Sequence, residues 1–438
     1  MTPGERTPLP PSPPPGGVAP PAAPAPADGD ARRAPHELAL LLTLAAVQFT
    51  HIVDFMIMMP LGPQFMRLFG IGPQEFGFLV SSYTFAAAAS GFLAAFRIDR
   101  YDRKRALLAL YAGFIVATAL CGFAPSYALL LAARVVAGVF GGVIGGLIFA
   151  IVADAVPYGR RARATALVAA SFSLAAVAGV PLAIWLAAHF SWRTPFLVLA
   201  VVSVGVGAAA ARLLPPLRAH LAHGAAPHPV EQLRRIFGVP NHLRAFAFTL
   251  TLMFAGFTVI PFIAPYYVAN VGVAEADLAF VYFAGGCTTL FTAQIIGRLA
   301  DRHGKKRMFT LVALASIAPI LITTHLPRLP LAAVVAAAVL FFVFVTGRFG
   351  PAMALVSGSV APALRGSFMS FNASLQQLGS GLAALVSGMI IGRAPDGSLT
   401  GYGSVGWLAV ACTLGCVWLA WRIRVVGDSA APAPARPG

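Results

Sequence analysis

Charge is scarce in this sequence. Only 11% of its 438 residues are charged, against about 25% in an ordinary soluble domain. A soluble fold of this length could not cover its surface with so few, which excludes a cytosolic enzyme and a disordered scaffold. Cysteine is scarce as well. Cys121, Cys287, Cys412 and Cys416 all fall inside apolar runs without paired loop spacing, so neither a disulfide framework nor a zinc site is expected. The chain has no Gly-x-x-x-x-Gly-Lys-Ser/Thr stretch to cradle ATP phosphates. It has no metal-spaced His/Cys cluster and no polar segment long enough for a catalytic domain. No cofactor and no metal are expected.

Apolar residues are abundant instead. They make up 58% of the chain, and the mean hydropathy is +0.80. The apolar runs continue unbroken for about twenty residues, the length that crosses a bilayer as helix. Strands of a membrane barrel would alternate apolar and polar over about ten. Only helices and closed barrels satisfy their backbone in lipid, so the expected fold is all-α and integral to the membrane.

Twelve spans are expected, at Leu38–Leu61, Gln74–Phe96, Arg105–Phe123, Tyr127–Val156, Thr165–His189, Thr194–Leu214, Leu243–Val271, Asp277–Leu299, Met308–His325, Pro330–Ala361, Gly366–Gly392 and Val405–Val425. Residues 1–36 are rich in Pro and Ala, lack periodicity and read as a disordered tail. The longest loop, 215–242, divides the spans into six-helix bundles over 37–214 and 243–425, and 426–438 forms a short tail. Within the loop, Val230, Leu233, Ile236 and Phe237 share one helical face. That pattern suits either a surface helix or plain linker.

Cations cluster on one side of the membrane. Of 31 Lys and Arg, Arg134 and Arg348 lie deep in spans, and with the N-terminus inside only Arg67, Arg193, Arg328 and Arg393 are external. The remaining 25 are internal, so both termini are expected in the cytoplasm. The same asymmetry explains the formal net charge of +16 without a nucleic-acid partner.

Asp99-Arg100-Tyr101-Asp102-Arg103-Lys104-Arg105 follows span two. Gly297-Arg298-Leu299-Ala300-Asp301-Arg302-His303-Gly304-Lys305-Lys306-Arg307 follows span eight. Asp99 and Asp301 are 202 residues apart, at the same place in each half. A repeat of this kind argues for duplicated bundles with a site between them. On these residues the chain resembles the major facilitator superfamily. Its second copy carries that family's loop motif, Gly-x-x-x-Asp-Arg-x-Gly-Arg/Lys-Arg/Lys, in full. The first departs from it, with Ala95 and Asp102 where the family has glycines. Arg134-x-x-x-Gly138-x-x-Gly141-Gly142 in span four resembles the family's Arg-Gly motif. Gly179-Val180-Pro181 in span five resembles a degraded form of the motif of its twelve-span drug/proton antiporters.

The resemblance implies a carrier in the bacterial cytoplasmic membrane, a monomer working on a small-molecule substrate. It also implies a cytoplasmic gate built from Asp99, Arg100, Arg103, Gly297, Asp301, Arg302, Gly304 and Lys305, with Gly138, Gly141, Gly142, Gly179 and Pro181 serving helix packing. The bland alternative for the loop charges is topology alone.

An ionisable group in hydrocarbon costs roughly 2.5–3.5 kcal/mol or more. Of fifteen acids, only Asp54 lies deep in a span. Burial favours its neutral form and a nearby guanidinium its charged form, so it suits proton exchange. At 1.5 Å per residue Asp54 stands about 24 Å up span one, and Arg134 about 10 Å down span four. Both fall in the outer half, as either a proton-coupling pair or a structural ion pair. His51 lies a turn away and extends a relay or packs structurally. Arg348, flanked by Gly347, Gly350 and Pro351, meets an anionic substrate group or snorkels inward. Gln294, Asn372, Gln376 and Gln377 face the substrate cavity or bridge helices. Phe55, Phe254, Phe257, Tyr266 and Tyr267 line that cavity or pack in the bundles.

Proton-coupled export of a small organic or amphipathic molecule is the leading expectation. The rivals are a proton symporter or facilitator importing a sugar or other metabolite, and a non-transporting membrane receptor or scaffold.

Overall fold

The computed structural model describes residues 29–218 and 229–426. Of the expected tails over 1–36 and 426–438, residues 1–28 and 427–438 lie outside the described residues, as does the middle of the central loop, whereas 29–36 continue the first helix instead of forming tail. Helices dominate. Among the described residues eleven are long and apolar enough to cross a membrane: Glu37–Ile57, Pro73–Ala94, Arg103–Phe123, Tyr127–Ala155, Gly159–His189, Thr194–Leu213, Pro240–Val271, Leu278–His303, Lys305–Thr324, Leu331–Gly358 and Tyr402–Arg422. A twelfth helix, Arg365–Ile390, equals many of them in length but carries Asn372, Gln376 and Gln377. It is span eleven, and the twelve follow the expected order. The first helix begins at Gly29 rather than near Leu38.

Local chemistry sets the helix ends and breaks. Asp102 caps span three, its carboxylate accepting from the backbone N–H of Lys104 at 2.9 Å and of Arg105 at 3.4 Å, which starts the helix at Arg103. Span seven is interrupted after Phe257, where Pro261 and Pro265 have no N–H to continue the ladder. Span nine breaks at Ser316 ahead of Pro319, and span ten at Arg348 ahead of Pro351. Span five opens into a wider turn over Ala175–Gly179, just before Pro181. A two-residue hairpin, Gly392–Arg393 with Leu399–Thr400, joins the last two spans and is the one departure from all-α among the described residues. Asn270 brackets it, donating to Leu399 O and accepting from Leu399 N. In the central loop a helix does form, Pro229–Phe237, and Ile236 inserts fully into the core of the second half.

Hydrocarbon offers no hydrophobic drive between helices, so close packing of small residues holds them. A Cβ on Gly138 would lie 2.3 Å from Tyr83 O, and one on Gly142 2.3 Å from Ala87 O. These glycines let span four lie directly on the backbone of span two. Gly77 and Gly381 do the same between spans two and eleven, meeting Ala384 O and Thr84 Oγ1. Gly286 brings span eight onto Ala176 of span five. These last two contacts join the halves along their length. At the end opposite the start of span one and the end of span twelve, the halves also meet through the Arg67–Glu275 ion pair and the rings of Phe76 and Phe262, 5.6 Å apart.

Candidate functional site

Span one presents Asp54 and span four Arg134 to the interior of the first bundle. The two meet: Arg134 Nη1 donates to Asp54 Oδ2 at 2.7 Å, with side chains 1% and 0% exposed. Thr118 of span three donates to Asp54 Oδ1 at 3.1 Å. The Arg134 guanidinium also lies over the Tyr83 ring of span two, 4.3 Å from its centroid. Four helices therefore converge on one ion pair. A charge-assisted bond, a hydroxyl donor and a cation–π contact together satisfy groups that lipid could not.

The network continues through His51. Its Nε2 and the Tyr83 hydroxyl share a hydrogen bond of 3.0 Å, while His51 Nδ1 and Arg134 Nε are buried without hydrogen-bond partners. Gly141 makes this possible, since a Cβ there would fall 2.3 Å from Tyr83 Oη and 3.0 Å from His51 Nε2. Gly179 does the same on the other flank of span one, where a Cβ would fall 2.3 Å from Val53 Cγ2. The glycines expected to serve packing thus frame the ionic cluster. Phe55 turns to the midline, its ring 5.9 Å from Phe257 of the second half and 5.5 Å from Tyr83.

The remaining polar candidates occupy different surroundings. Asn372 is buried and Gln376 half-buried, and both amides point at Met353 Sδ, at 3.9 and 3.7 Å. Gln377 is half-buried and Gln294 exposed. Arg348, 1% exposed, donates to Thr413 Oγ1 at 2.9 Å and to Ser316 Oγ at 3.4 Å. It therefore points into the second bundle between spans nine and twelve and does not snorkel.

At the loops, Arg103 pairs with Asp154 within the first half, and Asp102 pairs with Arg218 at the start of the central loop at 2.8 Å. The Arg218 guanidinium and two backbone N–H groups hold the Asp102 carboxyl below its ordinary range. Arg100, Asp301, Arg302 and Lys305 are exposed. Gly304 takes φ +92°, which a side chain would strain; a Cβ on Gly297 would meet open space. The Asp99 side chain lies outside the described residues. Across the far side, bidentate bonding to Glu275 raises the pKa of Arg67.

Sequence reasoning missed Tyr83 and Thr118. Thr118 is one hydroxyl in the apolar stretch of span three, and Tyr83 is one of four consecutive hydroxyl side chains, Ser81 to Thr84, in span two; both signals are far weaker than a charge.

Comparison with known proteins places these features in context. The sequence pattern of the Major Facilitator Superfamily matches residues 44–384 and again residues 245–437. An uncharacterized MFS-type transporter of Bacillus subtilis (strain 168), YceJ, is 26% identical over 364 residues, spanning 82% of this chain and 91% of its own. Among solved structures, a bacterial homolog of the human lysosomal transporter Spinster, inward-facing and unoccupied, aligns with a TM-score of 0.71 and 17% identity. That alignment covers 91% of this chain and 99% of the homolog. A D-xylose-proton symporter gives 0.72 and 15% identity over 88% and 97%. At such identities the likeness is one of fold.

Proposed function

The chain belongs to the Major Facilitator Superfamily and is a multi-pass membrane secondary transporter, not an enzyme; from that premise we propose that it exports a small organic, amphipathic molecule in exchange for protons. Among the described residues Asp54 is the one fully buried acid, and this observation carries the reading. In this reading the buried carboxylate, held by one guanidinium and one hydroxyl, works as a switch. Charged, it ties span one to span four through Arg134. Protonated, it loses the charge-assisted part of that bond, and the two helices are free to shift. His51 and Tyr83 extend the network along the same helices. Alternating access needs such a switch beside a path between the halves.

The side carrying the termini faces the cytoplasm of a bacterium in this reading, and the protein works as a monomer in the inner membrane. The charge asymmetry of the loops supports that orientation. The Arg67–Glu275 pair and the Phe76–Phe262 contact then close the external side. Asn372, Gln376 and Gln294, on spans eleven and eight, are candidates to contact substrate. The loop charges around Asp99 and Asp301 are candidates to lock the cytoplasmic side in the opposite state. The degraded antiporter motif at Gly179-Val180-Pro181 favours export over import.

Transport in proteoliposomes with an imposed pH gradient tests the proposal, using a panel of amphipathic compounds and sugars. Substrate should move against the proton flux, and Asp54→Asn should abolish the coupling. Movement with the protons would make the protein a symporter. Gradient-independent equilibration that survives Asp54→Asn would make it a facilitator with a structural ion pair.

A further inference from the structure

The two halves share one register along spans one and seven. His51-Ile52-Val53-Asp54-Phe55 and Met253-Phe254-Ala255-Gly256-Phe257 are 202 residues apart, as are Pro63 and Pro265. The same spacing separates the loop acids Asp99 and Asp301. Phe55 and Phe257 face each other across the midline, as equivalent positions of a duplicated bundle should. Opposite this segment each half carries a buried arginine, Arg134 in span four and Arg348 in span ten. In the first half the arginine meets the carboxylate of Asp54. In the second half the equivalent position is Gly256.

Among the described residues, Arg348 is thus a buried cation without an internal counter-charge. Its Nη1 bonds only hydroxyls, those of Thr413 and Ser316. Its Nη2 is buried with no partner. The ionisable groups facing it are the thiols Cys412 and Cys416, which are neutral near pH 7. A cation so enclosed is costly unless paired. The missing side chain of Gly256 leaves room for one methyl-sized group beside it. A Cβ on Gly256 would lie 3.8 Å from Arg348 Nη2, 3.8 Å from Ile260 Cδ1 and 4.0 Å from Val345 Cγ1, all ordinary contact distances.

We propose that Arg348, Ser316 and Thr413 form, beside Gly256, a binding site for a small monovalent anion, a halide or a formate-sized carboxylate. The bound anion supplies the charge that Asp54 supplies in the other half. Ile260 and Val345 limit its size, so it is distinct from a bulky amphipathic cargo. The site is independent of transport direction and of proton coupling at Asp54.

Thermal unfolding of the purified full chain in sodium chloride, sodium formate and sodium gluconate, at matched ionic strength, tests the site. Chloride or formate should raise the midpoint by about 2 °C or more over gluconate, and the better of the two identifies the anion. Gly256→Ala should keep that response. Gly256→Asp brings its own carboxylate and should lose it, with a midpoint in gluconate at least as high as that of the unmodified protein. Should Gly256→Asp fail to fold, Arg348→Gln removes the cation and should also abolish the response. Equal midpoints in all three salts for the unmodified protein would overturn the proposal. So would an anion response that persists unchanged in Gly256→Asp or Arg348→Gln.

Discussion

Removing one member of the Asp54–Arg134 pair should cost more than removing both. The bond is 2.7 Å long, and neither side chain is exposed by more than 1%. Arg134→Gln leaves the carboxylate with Thr118 as its remaining side-chain donor, at 3.1 Å. Breaking a buried pair from one side costs about 3–5 kcal/mol, because the surviving charge stays buried and uncompensated. Asp54→Asn should fall at the lower end of that range. Its orphaned guanidinium keeps the Tyr83 ring, 4.3 Å away, and a desolvated cation–π contact offsets about 2 kcal/mol. The double variant Asp54→Asn, Arg134→Gln buries two neutral amides that can bond to each other. Its loss should be about 1–2 kcal/mol, of the order of one imperfect hydrogen bond. The two single losses therefore overshoot the double loss by about 4 kcal/mol or more, above the roughly 0.5–3 kcal/mol usual for pair couplings. Denaturant titration of the four proteins in one mild detergent measures the cycle. Losses that add within about 0.5 kcal/mol would refute the coupling, and with it the view that Asp54 and Arg134 form one switch.

Two further outcomes follow from geometry at other positions. Gly142→Ala pushes a methyl against Ala87 O and Cα, at 2.3 and 2.5 Å, and should cost about 1–3 kcal/mol by overpacking. Gly146→Ala, with nothing within 4 Å, should be neutral or stabilising by up to about 1 kcal/mol; equal thermal midpoints for the two variants would contradict the packing account. Asp102 has a depressed carboxyl pKa through Arg218 and the cap of span three, so its stabilisation is present above the unfolded carboxyl value of about 3.9 and disappears as pH falls below it. Asp102→Ala should cost about 1 kcal/mol at pH 7 and converge on the unmodified protein in acid, a difference that pH-resolved unfolding would reveal.

Much of the architecture is legible from composition and pattern. Apolar runs of bilayer length mark the twelve spans, and span eleven shows how far the signal carries. Its Asn372, Gln376 and Gln377 make it the least apolar of the set, yet its length and its place in the second half still identify it. Boundaries shift where a single side chain intervenes, as where Asp102 starts span three at Arg103. The breaks at Ser316 and Arg348 are visible in sequence only as prolines, because a missing N–H shows where a helix can open but not what fills the opening. Of the site, the lone acid and its arginine are legible because a charge in hydrocarbon demands a reason. Tyr83 and Thr118 are not, since an uncharged hydroxyl in a span has many acceptable neighbours.

The sequence by itself determined that this is a duplicated helical membrane protein with one intramembrane acid, because hydropathy, repeat spacing and charge are properties of the chain read along its length. Only the tertiary structure decided where those groups point. Helix rotation turned Asp54 and Arg134 into one bond and aimed Arg348 at Ser316 and Thr413. It also gathered Gly138, Gly141 and Gly142 against the backbone and Tyr83 side chain of span two. A rotation is set by packing among many helices at once, and no local stretch of residues contains it.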